Sequence, residues 1–524
     1  MTQPFAAAEP GGDIQALAKG GRTNFFGFLI RLAARLPFLF IAGRIYGADA
    51  LGRFAIATIT VEFAAQLATL GLKRGLAQQL SRSERPHVHV VWDALLLGFL
   101  GSIVAAAVLI LMPRMLFPNS LIHGLDWLLP LTIFGWALSD IALAALAYRG
   151  DVAATVKARA IVEPWTISIA ALALSWYSLR DGLILAYALS TIAAFTASIV
   201  PLLRSYGRPA GWRPRPAQLA RVAARNVPLA GADAIEWGSR RLDIYILGRF
   251  FLPDIVGIYY VAQQVASLPQ KLKTSFDPIL GPVITQNLEE GNREAVARQV
   301  RQVGFWIIAA QVGIALALGI PGEAVMGLVG PSFVGGTAAL AFLLAAEAIA
   351  ATAAVSESAL IYVARWRNLA VSAAMIVVQV LVSVALIYGL REALPLLHAW
   401  GLPATVPTNV RNDPTSAAGV AIGLMVALGF ASVVKSHLLA SLLGAPVSGW
   451  RWAIVWAAAA AAAVGAAVVM LPEWAELAFG VVLILATYGV VIWFKGFTHE
   501  DRALFRFGKH AQDASAVTGA SQPS

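Results

Sequence analysis

Arginine and lysine residues stand inside apolar stretches of this chain that are long enough to cross a membrane. The stretch FFGFLIRLAARLPFLFIAGR contains Arg31 and Arg35, which are four residues apart and so share one face of a helix. An arginine at mid-bilayer costs about 2.5–3.5 kcal/mol on insertion scales, so it is expected to face a cavity or a partner. Guanidinium groups bind phosphate oxygens through paired hydrogen bonds. The pair therefore indicates an anion site, although Arg31 could instead extend to the inner headgroups.

Two further groups of cations lie in later stretches. GADAIEWGSRRLDIYILGR holds Arg240, with Glu236 four residues before it and Asp243 three residues after it, so these three side chains could neutralise one another. Arg241 points about 100° away from Arg240, so one helical face cannot account for both. Lysines in the next stretch could line the same cavity or extend to the headgroups. The predicted cavity cations are Arg31, Arg35, Arg240, Arg241, Lys271 and Lys273.

Carboxyl groups within apolar stretches are the second kind of candidate. Glu62, Asp140 and Glu347 are lone acids in their stretches. Such a group could take up a proton or a sodium ion, or could be a buried counter-ion to an arginine, and the sequence leaves both roles open. The candidate acids are Glu62, Asp140, Asp233, Glu236, Asp243 and Glu347.

The amino-acid composition indicates the class of protein that contains these charged residues. The chain has 524 residues, of which 59% are hydrophobic and 13% charged, and its mean hydropathy is +0.72. These values exclude a water-soluble enzyme, and the absence of cysteine excludes disulfides and thiolate metal sites. The net charge of +10 is attributed to loops that face anionic lipid, not to nucleic acid. No nucleotide-binding or hydrolase motif occurs, so we predict no enzyme, no cofactor and no metal centre.

Apolar stretches of spanning length predict an all-α polytopic membrane protein with about 14 transmembrane helices. The predicted spans are Thr23 to Ile45, Leu51 to Leu72, Val91 to Met112, Trp127 to Tyr148, Ala160 to Ser178, Leu183 to Leu203, Asn226 to Phe251, Val256 to Phe276, Gln302 to Ile320, Ala338 to Ala364, Asn368 to Leu390, Ser416 to Val434, Trp452 to Leu471 and Glu476 to Phe494.

The distribution of lysine and arginine over the loops predicts the orientation. With the N-terminus inside, the inner segments hold 26 of the 39 basic residues, among them Arg74, Arg225, Arg365 and Lys435, and the outer segments hold 7. Cytoplasmic loops of membrane proteins carry such an excess. We therefore expect a multi-pass protein of the bacterial inner membrane with both termini in the cytoplasm, and no cleaved signal peptide before Lys19.

An internal repeat organises the spans. Shifting the chain by 205 residues places IAGRIYGADALGRFAIA, from Ile41, over ILGRFFLPDIVGIYYVA, from Ile246, with glycine and charged residues matched in one register. Six spans separate the copies, and because six is even both halves enter the membrane in the same direction, as in transporters with parallel repeats. The predicted segments are a flexible tail (1–18), an N-lobe (19–205), a basic cytoplasmic linker (206–225), a C-lobe (226–443), two further helices (449–496) and a cytoplasmic tail (497–524).

The segment GRIYGADALGRFA (Gly43 to Ala55), its counterpart GRFFLPDIVGIYYVAQQ (Gly248 to Gln264) and the two trailing helices resemble polysaccharide transporters of the multidrug/oligosaccharidyl-lipid/polysaccharide exporter superfamily. The resemblance covers about Lys19 to Phe494. It implies a flippase for polyprenyl-pyrophosphate-linked oligosaccharides, such as O-antigen or exopolysaccharide repeat units. In the related lipid II flippases, arginines of the first and eighth helices engage the pyrophosphate, which would give this role to Arg31, Arg35, Lys271 and Lys273.

The same resemblance suggests membrane lipids, a polysaccharide polymerase, export machinery and a coupling H⁺ or Na⁺ as partners. Two other functions stay open on the sequence. A cation-coupled multidrug exporter of the same superfamily would be expected to have an acidic first span, and the first span contains no Asp or Glu. A membrane polysaccharide polymerase or ligase would need a sizeable outer loop, and the longest outer segment, Arg391 to Thr415, is short.

Overall fold

The computed structural model of the chain describes residues 36–120, 122, 124–270, 284–399, 414–498 and 501. Within these residues the chain is helical and contains no strand. A helix satisfies its backbone hydrogen bonds within one segment, which hydrocarbon requires. Nine helical stretches of the described part are long and apolar enough to cross a membrane. The predicted class, an all-α polytopic membrane protein of about 14 helices, is confirmed.

Among the described residues, seven longer helices, α1 to α7, come before Gly207, and we refer to them as the N-lobe. In chain order they are residues 36–46, Gly47–Ala68, Leu72–Arg82, His87–Leu111, Leu129–Tyr148, residues 152–174 and Gly182–Tyr206. Helix α3 was not among the predicted spans. Its residues Leu72, Leu76 and Leu80 follow each other at intervals of four and are fully buried, so α3 lies with one apolar face against the lobe.

The next eight longer helices of the described part, α8 to α15, we refer to as the C-lobe, and a short helical stretch covers residues 284–289. The eight are Pro216–Phe250, Pro253–Gln270, Arg293–Gly319, Gly322–Val329, Thr337–Ala351, Ala354–Val363, Arg365–Ala399 and Pro414–Leu443. A turn at Thr352 and Ala353 divides the predicted tenth span into α12 and α13. The trailing helices are α16, Trp452–Val468, and α17, Glu473–Gly496.

Helix α8 crosses the predicted boundary between linker and C-lobe. It begins at Pro216, inside the predicted linker, because proline is favoured in the first helical turn, where its missing N–H costs nothing. Its Leu219 is buried in the same cluster as Leu72 of α3, whereas its Leu247 is buried in a cluster with α2 and α9. One continuous helix therefore packs against both lobes, with Pro228 between the two contacts.

The lobes meet closely where α2 and α9 begin. A Cβ atom on Gly52 would lie 1.7 Å from the carbonyl oxygen of Pro253, so only glycine allows this approach. The side-chain amide of Asn119 donates hydrogen bonds to the carbonyl oxygens of Gly248 and Phe251, at 2.7 and 2.9 Å. We call this end of the bundle the closed end.

The trailing helices are joined to the C-lobe at the other end. Asp501, which is fully buried, accepts hydrogen bonds from Gln302 and Trp306 of α10 and from Arg451, just before α16. The Arg451 guanidinium also lies 3.8 Å from the centre of the Phe305 ring. The helix pair is thus anchored to α10 by a buried polar cluster.

Candidate functional site

A cavity of about 610 Å³ lies opposite the closed end, where α3 meets the middle of α8 and the first turns of α14. Its wall is rich in arginine, and we call this end of the bundle the basic end. Four arginines from three helices line the cavity, namely Arg74, Arg225, Arg240 and Arg365. Two acids also line it, Glu236 and Glu357.

Arg74 joins the two lobes across this cavity. It lies on α3 and takes the face opposite the buried leucines, so its side chain reaches toward α8. Its Nε is 2.6 Å from Oδ1 of Asp233, and its Nη2 is 2.5 Å from Oε2 of Glu236. The two acids are three residues apart on α8 and so face the same side of that helix.

This pairing leaves Arg240 available. Glu236 binds Arg74, and Asp243 accepts hydrogen bonds from Tyr259 and Gln263 of α9. The network of Glu236, Arg240 and Asp243 that their spacing allows is therefore not formed. Within the described part of the chain, Arg240 makes no ion pair, and it faces the cavity.

Arg225 and Arg365 resemble Arg240 in this respect. Both line the cavity, and neither has an ion-pair partner among the residues that the structure describes. The three arginines give the basic end a concentration of unpaired positive charge.

A second cavity, of about 70 Å³, extends from Arg240 into the C-lobe. Glu347 lines it, and so does Lys435, whose side chain is only 6% exposed. The Lys435 ammonium donates hydrogen bonds to Glu357 at 2.9 Å and to Ser372 at 3.0 Å. The charge distribution counts Lys435 among the inner-segment charges, but its side chain points into the lobe.

A third cavity, of about 170 Å³, lies deeper between the lobes. Glu62 of α2 and Arg241 of α8 meet at its wall, with 3.3 Å between Oε2 and Nη1. Aromatic side chains make up much of the remaining wall, among them Trp136, Tyr187 and Tyr260.

Asp140 belongs to a cluster inside the N-lobe. It is paired with Arg159, which also binds Glu163 at 2.8 Å, and Lys73 lies 3.2 Å from its other oxygen. The Arg159 guanidinium lies 3.9 Å from the centre of the Trp136 ring, within the range of a cation–π contact. In this state Asp140 is balanced by two cations.

Among the predicted cavity cations, the structure brings Arg240 and Arg241 to cavity walls. Arg31, Arg35, Lys271 and Lys273 lie outside the described residues. Their chain neighbours do line cavities, since Leu36 borders the deeper one and Gln270 borders the one at the basic end.

Comparison with known proteins identifies the family to which the chain belongs. The model of the family described as "Polysaccharide biosynthesis protein" matches residues 41–319, slightly more than half of the chain. The chain belongs to this polysaccharide biosynthesis protein family. The resemblance to polysaccharide transporters and flippases that the repeat segments predicted is confirmed. None of the curated proteins compared with the chain matches it.

Solved structures show which fold this polysaccharide biosynthesis protein has. An inward-facing MATE multidrug resistance transporter of the MOP superfamily is 14% identical, with a TM-score of 0.57 over 79% of this chain and 98% of that one. The lipid II flippase MurJ, in an inward closed conformation, is 11% identical, with a TM-score of 0.62 over 94% and 99%. A MOP superfamily transporter from Pyrococcus furiosus is 13% identical, with a TM-score of 0.53 over 83% and 96%. At these identities the likeness shows the fold alone, which is that of MOP-superfamily transporters and flippases.

Sequence reasoning missed four cavity residues of this polysaccharide biosynthesis protein: Arg74, Arg225, Arg365 and Lys435. In the sequence all four contribute only to the charge distribution that predicts the membrane orientation. A local signal existed for Arg74, because the leucine spacing of α3 predicts an amphipathic helix whose other face is polar. No local signal brings Arg225 and Arg365 to the same cavity, since only the packing of α8 and α14 does so.

Proposed function

We propose that this protein is a flippase that moves a polyprenyl-pyrophosphate-linked oligosaccharide across the inner membrane by alternating access. One observation carries the proposal: Arg225, Arg240 and Arg365 face a single open cavity between two lobes without ion-pair partners among the described residues. In a transporter fold, unpaired cations around an open cavity favour a ligand with several negative charges.

A pyrophosphate fits this chemistry better than a carboxylate or a sugar alone. Arginine forms two parallel hydrogen bonds to phosphate oxygens, and arginines from different helices can bind different oxygens. The pyrophosphate would thus be held from two helices of the C-lobe, α8 and α14, while its sugars would lie in the aqueous cavity and its polyprenyl tail would stay in lipid. Arg35, together with Arg31, Lys271 and Lys273, is proposed to add to this binding.

The arrangement of the ends supports an inward-facing state. The basic end, which is open, carries the residues that the charge distribution assigns to the cytoplasm, with both termini on that side. At the closed end α2 packs against the first turn of α9. Rocking of the lobes would open the closed end and release the headgroup outside, where a polymerase and export machinery would use it.

Cation-coupled drug efflux is the second candidate. A cationic drug would need unpaired acids in the cavity wall, and in this state Glu62 is paired with Arg241 and Asp140 with Arg159. The paired acids favour an anionic substrate over a cationic drug. Neither the unpaired arginines nor the paired acids support a polymerase or ligase, so we propose that the protein is not an enzyme. A proton or a sodium ion remains the proposed coupling ion.

Cells that lack the gene provide the test. Surface polysaccharide and polyprenyl-pyrophosphate-linked repeat units would be quantified on each face of the membrane. We expect loss of the polymer and accumulation of single repeat units on the inner face. Unchanged polymer and lipid-linked pools would refute the flippase, and single units accumulating on the outer face would indicate a polymerase instead.

A further inference from the structure

We propose that Arg74 is a further pyrophosphate-binding residue, which Asp233 and Glu236 bind until the anion enters and displaces them. This inference rests on the proposed function and concerns how the same cavity detects its substrate. It predicts that the two acids compete with the ligand for one guanidinium group.

The position of Arg74 permits such an exchange. It lines the same cavity as Arg225, Arg240 and Arg365, and 40% of its side chain is exposed. Because it is already in contact with the solvent of the cavity, it can change partners by rotating its side chain.

Its present partners hold it incompletely. Nε and Nη2 bind two separate carboxylates, so neither contact is the bidentate pair that arginine forms with a single phosphate or carboxylate group. Asp233 is buried, and its second oxygen, Oδ2, has no hydrogen-bond partner among the described residues. Glu236 is largely exposed, with 54% of its side chain accessible, so its contact with Arg74 is weakened by water.

Transfer of Arg74 to an anion would also change the contact between the lobes. Asp233 and Glu236 would be left as like charges on one face of α8, which is unfavourable. The surrounding contact is tight, since a Cβ atom on Gly75 would lie 2.0 Å from Oδ1 of Asn226 in α8. Binding of the headgroup would therefore weaken the tie between α3 and α8 at the basic end.

The alternative is that Arg74 is a fixed strut that only joins the two helices. Glu236→Gln separates the two roles, because it removes a charge that competes for Arg74 while keeping the size of the side chain. A strut would be weakened and ligand binding would stay the same or fall. A competed binding residue would become more available, and ligand binding would rise.

The test uses the full-length purified protein in lipid nanodiscs, with inorganic pyrophosphate as the probe and calorimetry as the readout. We expect Glu236→Gln to bind about three- to fivefold more tightly than the wild type, the range for losing one partly exposed ion pair. Arg74→Gln should bind about tenfold more weakly, since a charge-assisted hydrogen-bond pair is lost. In the double variant Glu236→Gln should give no gain, because its effect depends on Arg74. Glu290→Gln, which removes an exposed acid outside the cavity, is the matched control.

Farnesyl pyrophosphate in a second series distinguishes a lipid-linked from a free pyrophosphate, since only a lipid-linked substrate gains affinity from the tail. The same ratio between variant and wild type is expected for both probes. Unchanged or weaker binding by Glu236→Gln, with normal binding by the wild type, would overturn the role of Arg74 and leave the proposed function standing. Absence of pyrophosphate binding by the wild type would overturn both.

Discussion

Gly52 of α2 and Gly257 of α9 make the same contact in opposite directions. A Cβ atom on Gly52 would lie 1.7 Å from the carbonyl oxygen of Pro253, and one on Gly257 would lie 2.0 Å from the carbonyl oxygen of Ala48. Residues 48 and 253, like 52 and 257, are 205 positions apart, which is the shift of the sequence repeat. The repeated glycines therefore form a two-fold related contact of backbone against backbone at the closed end.

Gly52→Ala is expected to favour opening of the closed end. The added methyl group overlaps the Pro253 carbonyl, and such overpacking costs about 1–3 kcal/mol in the closed arrangement, a shift of roughly 5- to 150-fold in the ratio of states. A single cysteine at Ser239, in the cavity wall, reports the shift through a membrane-impermeant thiol reagent, because the natural chain has no cysteine. In the S239C background labelling should come from the basic end, and with Gly52→Ala also from the closed end.

Gly231→Ala is the matched control for this experiment. It also lies in a helix near the lobe interface, but a Cβ atom there would meet no heavy atom within 4 Å. Its labelling should resemble that of S239C alone. Equal labelling of all three proteins from the closed end would contradict the proposed role of the glycine contact.

Arg240→Ala should reduce export of the polysaccharide by at least about tenfold with normal protein abundance. The loss of one bidentate arginine–phosphate contact costs about 1.5–3 kcal/mol of binding free energy. Arg249→Ala serves as the control, since Arg249 lies on the same helix, is exposed and is far from the cavity. Surface polysaccharide in complemented deletion cells is the measurement, and full export by Arg240→Ala would refute the cavity assignment.

Glu62→Gln tests the two roles open to that acid. If Glu62 is a counter-ion, its removal leaves Arg241 unbalanced and lowers stability by about 1–3 kcal/mol, less than for a fully buried pair because Arg241 is 37% exposed. Glu62→Gln/Arg241→Gln should then recover most of the loss in thermal unfolding. If Glu62 carries the coupling proton, export by Glu62→Gln loses its dependence on pH while the unfolding temperature stays near that of the wild type.

Asp501→Asn should detach the trailing helices. Burial alone would raise the pKa of Asp501, but hydrogen bonds from Arg451, Thr498 and Trp306 outweigh it and hold the pKa below its ordinary value. A carboxyl with a lowered pKa stabilises the fold above its unfolded pKa and loses that contribution as pH falls through the folded value.

The thermal unfolding temperature of Asp501→Asn should thus lie well below that of the wild type at pH 7, with about 3 kcal/mol lost, and the difference should shrink below about pH 4. Asp49→Asn, at an exposed acid, should change it little at any pH. A constant difference between wild type and Asp501→Asn down to pH 3 would contradict this account.

The spans and the repeat could be predicted because their signals are local. Runs of apolar residues identify helices, and Gly52 and Gly257 match in the sequence before their contact is known. The partners of the charged residues could not be predicted in the same way. Glu236 is four positions from Arg240 but binds Arg74, which is 162 positions away, and only packing of α3 on α8 brings them together. Lys435 follows an apolar stretch as a loop residue would, yet Glu357 and Ser372 draw it into the C-lobe.

The continuity of α8 has a consequence for the length of the chain between the lobes. Each residue inserted into an α-helix rotates everything after it by about 100° and advances it by about 1.5 Å. One extra residue after Asn226 would turn Arg240 away from the cavity and Arg241 away from Glu62, whereas extra residues between α7 and α8 would leave both in register. Residues 207–215 should therefore tolerate insertions, whereas the first half of α8 should not. An insertion there would change the angle between the side chains that α8 presents on either side of it.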